Sequence, residues 1–191
     1  MSKLEVDAIE PQSGTTLTIG ASGDTITVPT GASLTVPNGG LSGQNYPAFE
    51  AYLNTDQSVA DGVATKVQFD VEKFDTDNCY DNSTNYRFTP TVAGKYYVYA
   101  SIYGRTATNS NLEFVITYIY KNGVAVNQHI MQFTNNPARQ ASVDVFSVID
   151  MNGSTDYLEI YGNVNTTSVS NGEFEVNTEG GTHFGAYRIG D

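Results

Sequence analysis

The sequence predicts an all-β protein, with a jelly-roll sandwich over residues 46–191 and a short-strand fibrous β stalk over residues 1–45. Three observations lead there. Apolar and polar residues alternate along the second part, helical periodicity is missing, and turn residues recur at sandwich-like spacing. All 13 Tyr and 9 Phe lie from Tyr46 onward, so only that part can build a core.

In the first part, Leu4, Val6 and Ala8 alternate with Glu5 and Asp7. That pattern suits a strand pairing with something else, and Leu4, Val6 and Ile9 are its candidate attachment residues; a frayed terminus is the competing reading. Residues 12–43 are rich in Gly, Ser, Thr and Pro and contain no aromatic residue. Within them an apolar-Thr-apolar triplet recurs as Leu17-Thr18-Ile19, Ile26-Thr27-Val28 and Leu34-Thr35-Val36, at steps of nine and eight residues. Such runs read as brief strands separated by turns. Each offers two apolar side chains on one face, too few for one chain to bury, so the strands need neighbours. Three chains around one axis would supply them. A flexible linker is the alternative; the regular spacing and β-branched residues favour the stalk.

In the second part, Phe49-Glu50-Ala51-Tyr52-Leu53 and Lys66-Val67-Gln68-Phe69-Asp70-Val71 each read as a strand. Residues 96–103 form the strongest one. They place Tyr96, Val98, Ala100 and Ile102 on one face and Tyr97, Tyr99, Ser101 and Tyr103 on the other. Residues 112–120 and 124–133 flank Asn122-Gly123, the hairpin signal that tolerates positive φ at both positions. Residues 141–149, 157–161 and 181–189 complete a set of eight or nine strands. Antiparallel sandwiches commonly keep one polar face. A strand apolar on both faces therefore marks Tyr97, Tyr99 and Tyr103 as candidate subunit-interface residues, where a ring buries its body and hydrogen-bonds its tip. Tyr filling β positions by propensity alone is the competing reading.

Composition narrows the partners. With 21 acidic and 9 basic residues the net charge is -12, which disfavours nucleic acid and anionic lipid surfaces. No run of about 20 apolar residues is present to insert into a membrane. Residues 1–11 have no apolar core of a secretory signal. One cysteine, Cys79, forms no internal disulfide and builds no thiolate zinc site.

Motifs for chemistry are sparse. Asp75, Asp77 and Asp81 lie close in sequence with Asn78 and Asn82, an oxygen-rich set that can hold Ca²⁺, although the EF-hand Gly and Glu positions are Tyr80 and Tyr86. A solvated loop is the stronger reading of that run, and Ca²⁺ is the sole cofactor the sequence suggests. Glu173, Glu175 and Glu179 form a second acidic stretch, expected at an exposed tip. His129 and His183 have no nucleophile motif beside them, and Cys79 sits among carboxylates that disfavour its thiolate. Catalysis is the poorest hypothesis. Glycosylation sequons at Asn82, Asn152 and Asn165 read as coincidence in an Asn- and Thr-rich chain.

The run Tyr86-Arg87-Phe88-Thr89-Pro90-Thr91-Val92-Ala93-Gly94-Lys95-Tyr96-Tyr97-Val98-Tyr99 resembles the central signature of C1q-like domains. Phe49-Glu50-Ala51-Tyr52-Leu53, Asp156-Tyr157-Leu158-Glu159-Ile160 and Gly181-Thr182-His183-Phe184-Gly185-Ala186-Tyr187-Arg188-Ile189 are similar to that family's first, next-to-last and closing strands. The resemblance implies a C1q/tumour-necrosis-factor-like jelly roll that assembles as a homotrimer. The start, Lys3-Leu4-Glu5-Val6-Asp7-Ala8-Ile9 with Gly14-Thr15-Thr16-Leu17-Thr18-Ile19-Gly20, is similar to structural proteins of marine tailed phages, cyanophages especially. That implies a virion component, assembled in the host cytoplasm, with capsid or tail proteins as partners. The stalk-forming residues would be Leu17, Ile19, Ile26, Val28, Leu34 and Val36. A second expectation is an adhesin whose loops 104–111, 134–140 and 163–180 meet a host-surface glycan, tempered by the absence of Trp. A depolymerase needs paired carboxylates in a groove, which sequence does not place.

Overall fold

The computed structural model describes residues 9, 13–34, 47–133, 135–168, 170–176 and 181–190. The chain divides into two units, Met1–Ser42 and Gly43–Asp191.

In the first unit the described residues 13–34 form no strand. The short strands expected at residues 17–19 and 26–28 are therefore absent from the single chain. A strand is defined by pairing with a second backbone, and these triplets find none in their own unit. Their punctuation is ordered by turns. Asp24 N–H donates to the Ala21 carbonyl at 3.0 Å, and Ala32 N–H donates to the Pro29 carbonyl at 3.0 Å. Gly23 and Gly31 occupy the third position of these two turns with φ of 94° and 89°, where a side chain would be strained. Asp24 Oδ2 closes the first turn from the other side by accepting Ala21 N–H at 2.7 Å. Leu17, Ile19, Ile26, Val28 and Leu34 are all exposed. Val36, like Leu4 and Val6, lies outside the described residues.

The described residues of the second unit hold thirteen strands: β1 (Ala48–Tyr52), β2 (Gln57–Val59), β3 (Thr65–Lys66), β4 (Val71–Asp75), β5 (Tyr80–Asp81), β6 (Arg87–Phe88), β7 (Ala93–Thr106), β8 (Leu112–Lys121), β9 (Val124–Gln132), β10 (Gln140–Asn152), β11 (Leu158–Thr166), β12 (Gly172–Phe174) and β13 (His183–Gly190). A seven-stranded sheet runs β2-β12-β7-β13-β1-β4, with β10 on the other side of β7. A six-stranded sheet runs β5-β6-β11-β8-β9, with β3 also on β11. Every pairing is antiparallel.

Between the sheets lies the core expected from alternation. Tyr96, Val98, Ala100 and Ile102 of β7 face inward with Val115 and Ile119 of β8, Ile160 and Val164 of β11 and Phe184 of β13. Aromatic rings fill its centre: Phe49 stacks on Tyr80 at 4.7 Å and on Phe88 at 4.5 Å, and meets Phe184 edge-on at 4.8 Å. Asn122 and Gly123, with φ of 53° and 79°, close the β8–β9 hairpin as their sequence requires.

Residues 66–71 differ from expectation. They are not one strand: β3 pairs with β11 in one sheet, and β4 pairs with β1 in the other. Val67 and Phe69, both fully buried, form the crossing between the sheets. Alternation records which side chains are buried and is blind to which sheet buries them.

Candidate functional site

On a strand, successive side chains point to opposite faces. The register of β10, β7, β13, β1 and β4 therefore defines the outer face of the seven-stranded sheet residue by residue. It presents Phe146 and Val148 from β10, Tyr97, Tyr99 and Tyr103 from β7, His183 and Tyr187 from β13, Glu50 and Tyr52 from β1 and Phe74 from β4. Tyr97 lies 5.5 Å from Tyr187 and 6.1 Å from Tyr99, ring centre to ring centre, and Tyr99 lies 6.0 Å from His183. The Tyr99 ring lies over Gly185, where an added Cβ would stand 2.4 Å from its Cζ. The Tyr99 hydroxyl donates to Glu50 Oε2 at 2.7 Å, and Lys73 Nζ donates to Glu50 Oε1 at 2.9 Å. Burial raises the Tyr99 phenol, and the Glu50 carboxylate beside it adds to the rise. For Glu50, burial pulls upward, but the Tyr99 hydroxyl and the Lys73 ammonium outweigh it and hold the carboxyl below its usual range.

This face is not covered. Phe146 and Val148 are each 53% exposed, and Phe74 and Tyr187 are exposed too. The apolar surface continues around one side of the sandwich. The Phe146 ring meets His129 of β9 edge-on at 5.6 Å, and Val126, Ile130 and Met131 of β9 are exposed. Edge strands are usually blunted by Lys, Pro or other charge. Here β9 reads Val-Ala-Val-Asn-Gln-His-Ile-Met-Gln, with His129 its sole titratable residue. The side of the sandwich is closed by side chains alone. Asn127 Nδ2 donates to the Phe146 carbonyl at 3.1 Å, and His129 Nδ1 contacts the Asp144 carbonyl at 2.7 Å.

A second, polar region sits at one end of the sandwich. Pro47 enters beside Arg188, whose N–H its carbonyl accepts at 3.2 Å, near the start of β7. Ten residues along β7 from Tyr96, the partner of Arg188, and about 33 Å away at strand rise, Thr106 N–H donates to the Arg139 carbonyl. There the loops around residues 107–111, 135–139 and 167–171 converge on buried Asn111. Its Oδ1 accepts the Thr167 and Ser168 hydroxyls at 2.7 and 2.9 Å, and its Nδ2 donates to Ser170 Oγ at 2.8 Å. Its own N–H donates to the Ala138 carbonyl, and its carbonyl accepts Thr167 N–H. The Asn111 side chain ties its own loop to the residues around 167–170, and its backbone N–H ties it to Ala138.

No protein-family model matches the chain, and no curated protein matches its sequence. Solved structures do match. The globular domain of zebrafish complement 1qA protein aligns over 75% of this chain and 97% of its own, with TM-score 0.52 and 15% identity. The tumour necrosis factor Eiger from S. frugiperda aligns over 78% of this chain and 95% of its own, with TM-score 0.52 and 11% identity. Murine APRIL, solved at pH 5.0, aligns over 74% and 98%, with TM-score 0.52 and 11% identity.

The second unit, hereafter the head, has the jelly-roll fold of these C1q and TNF-family domains.

Within this jelly roll the acidic candidates are differently employed from what their sequence suggested. Asp75, Asp77 and Asp81 do not form a metal cage. Asp75 accepts the N–H groups of Asp77 and Tyr80, at 3.3 and 2.8 Å. Asp81 accepts the N–H groups of Ser83, Thr84 and Asn85, and those bonds, Thr84's first, hold its carboxyl well below the usual range against a small opposing burial effect. The oxygens of Asp75 and Asp81 are occupied by turns. Among the described residues no group of three His, Cys, Asp or Glu is placed to hold a metal ion. Glu173 and Glu175 do not stand at an exposed tip; both pair with Arg105, Glu175 at 2.6 Å from Nη1, and Asp56 joins them at 3.4 Å. Glu179 lies outside the described residues. Burial pushes the Cys79 thiol up despite its contacts with Thr91. Ile9 is exposed. Sequence reading placed Tyr97, Tyr99 and Tyr103 on the outer face but missed Phe74, Phe146 and Val148 as its companions. The signal for the last two was present, since Asp144, Phe146 and Val148 share one parity in β10.

Proposed function

We propose that this chain is a homotrimeric structural protein of a tailed-phage particle, attached through residues 1–45 and displaying the C1q-like head. The observation that carries the assembly is the uncovered aromatic and aliphatic outer face of the seven-stranded sheet. The apolar surface of each copy runs from the Tyr97–Tyr99–Tyr187 face, which Phe146 and Val148 share, around to a side bearing Val126, Ile130 and Met131 of β9. A two-fold pairing of face on face would leave the side exposed. A head-to-tail contact, side of one copy on face of the next, uses both and closes into a ring. A ring of three agrees with the family resemblance of the sequence. The exposed apolar triplets of the first unit gain strand partners by the same assembly, since three parallel copies bring three backbones together. The particle itself is supported by the resemblance of residues 3–20 to phage structural proteins.

Light scattering of the purified chain should give the mass of three copies; a single-chain mass would defeat the assembly. Changing Leu17, Ile19, Ile26, Val28, Leu34 and Val36 to Ser should abolish incorporation into particles while the head's unfolding transition is kept. Normal incorporation would reduce the segment to a tether.

A second reading has its own support. The loops around Asn111 lie at the end of the second unit opposite Pro47 and are rich in Asn, Ser and Thr. Such loops suit adhesion to a host surface, a role compatible with that of a fibre head.

A further inference from the structure

We propose that Asn127 and His129 of β9 guard the open side of the sandwich, keeping the edges of β9 and β10 from pairing with a strand of a second copy of this chain. This goes beyond the assembly reading, since it concerns a mode of association that the fold blocks.

An edge strand presents unpaired N–H and C=O groups to any extended backbone, and proteins blunt such edges by shortness, charge or Pro. Among the described strands every edge but one is blunted in this way. In the seven-stranded sheet β2 is three residues long, β4 carries Glu72, Lys73 and Asp75, and β10 carries Asp144 and Asp150. In the six-stranded sheet β3 and β5 are two residues each. The exception is β9. It is nine residues long, holds no Asp, Glu, Lys, Arg, Pro or Gly, and all of it but Asn127 is exposed. It pairs with β8 on one side and, among the described residues, with no strand on the other. An uncharged segment of high β propensity is the composition that stacks strand on strand without limit.

Two side chains stand where a strand would enter. The Asn127 amide offers an acceptor and a donor, as a peptide unit does. Its Oδ1 accepts Gln128 N–H at 2.8 Å, and its Nδ2 donates to the Phe146 carbonyl at 3.1 Å. His129 Nδ1 lies 2.7 Å from the Asp144 carbonyl. A carbonyl only accepts, so Nδ1 carries the hydrogen. Asn127 thus meets residue 146 and His129 meets residue 144, the crossing order of an antiparallel ladder, with side chains in place of backbone. The His129 ring, edge-on to Phe146 at 5.6 Å, packs the same gap. Backbone groups already satisfied offer nothing to an incoming strand. A side closed in this way meets another copy through side chains, which a ring requires, whereas edge-to-edge pairing would run on into an open fibre.

The test follows the full-length chain through prolonged incubation by light-scattering mass and thioflavin fluorescence. The unaltered chain should hold a constant mass. Asn127→Ala/His129→Ala should grow without limit, gain thioflavin fluorescence, and bind a labelled peptide of residues 124–132 at least tenfold more tightly. Asn127→Ala/His129→Lys should stop the growth, because a charge blunts the same edge without either bond. Constant mass and unchanged peptide binding in the double-alanine variant would overturn the proposal. So would growth that the Lys version retains, which would assign it to a loosened fold. Should the double-alanine variant fail to fold, Asn127→Ala and His129→Ala singly carry the same expectations at smaller amplitude, and no change in either would overturn the proposal equally. None of these outcomes depends on the starting mass: a single-copy mass for the unaltered chain would overturn the ring, and growth of the variant would still support the guard.

Discussion

The two outward faces of the head are both rich in tyrosine, yet they are in opposite states. On the six-stranded sheet Tyr120 stacks on Tyr161 at 4.1 Å, and Tyr118 packs edge-on to Tyr120 at 6.1 Å. Lys66 stands 6.0 Å over Tyr161 and pairs with buried Glu159, while Asn165 Nδ2 donates to Glu113 at 2.7 Å. No large apolar side chain of β3, β8 or β11 is exposed. Over β3, β8 and β11 that face satisfies itself, and its exposed apolar groups are confined to β9 at the edge. On the seven-stranded sheet the tyrosine rings also meet one another, at 5.5 and 6.1 Å, yet Phe74, Phe146, Val148 and Tyr187 remain exposed around them. The comparison teaches that tyrosine content does not mark an interface. What marks it is apolar area left over after the face has made its own contacts.

The sharpest way to break this comparison is to charge one face at a time. Phe146→Lys with Val148→Lys should reduce the scattering mass from three chains to one, while Tyr120→Lys on the opposite face should leave three. Equal loss from both would erase the distinction. A smaller effect is expected from Gly185→Val. Its side chain would occupy the place of the Tyr99 ring, displace it and break its bond to Glu50. Crowding of this kind costs about 1–3 kcal/mol, read as a lower denaturant midpoint together with weaker association. An unchanged midpoint would show that Tyr99 is free to swing away.

The smallest effect concerns Glu50, whose carboxyl is held below its ordinary value of 4.5. A depressed carboxylate contributes stability above its unfolded pKa and loses it as pH falls through the folded one. Denaturation of the unaltered chain and Glu50→Gln should therefore differ at pH 7, and the difference should narrow below about pH 4. A gap that is constant with pH would assign the effect to packing instead of charge.

How much of this was legible beforehand differs by feature. Inward and outward parity was legible, because period two is a local property of the chain: Tyr96 and Tyr97 were assigned to opposite faces and stand there. The Asn122-Gly123 turn was legible because few residues tolerate positive φ in succession. For Asp75, Asp77 and Asp81 the loop reading was legible, but nearness in sequence hides where each carboxylate points, and turns claim the oxygens of Asp75 and Asp81. The Arg105 pairing with Glu173 and Glu175 was illegible for the opposite reason. Its partners are distant in sequence and meet only through the β7–β12 register.

By itself the sequence determined the class of the protein: a β head with a core, preceded by a segment too poor in apolar residues to bury its own. Alternation and aromatic content suffice for that, since each is summed along the chain. Tertiary structure alone decided which tyrosine face is left open, which loops share one end, and that residues 66–71 pass between sheets. Each of these depends on contacts between residues far apart in sequence, and no local pattern records who the neighbour will be.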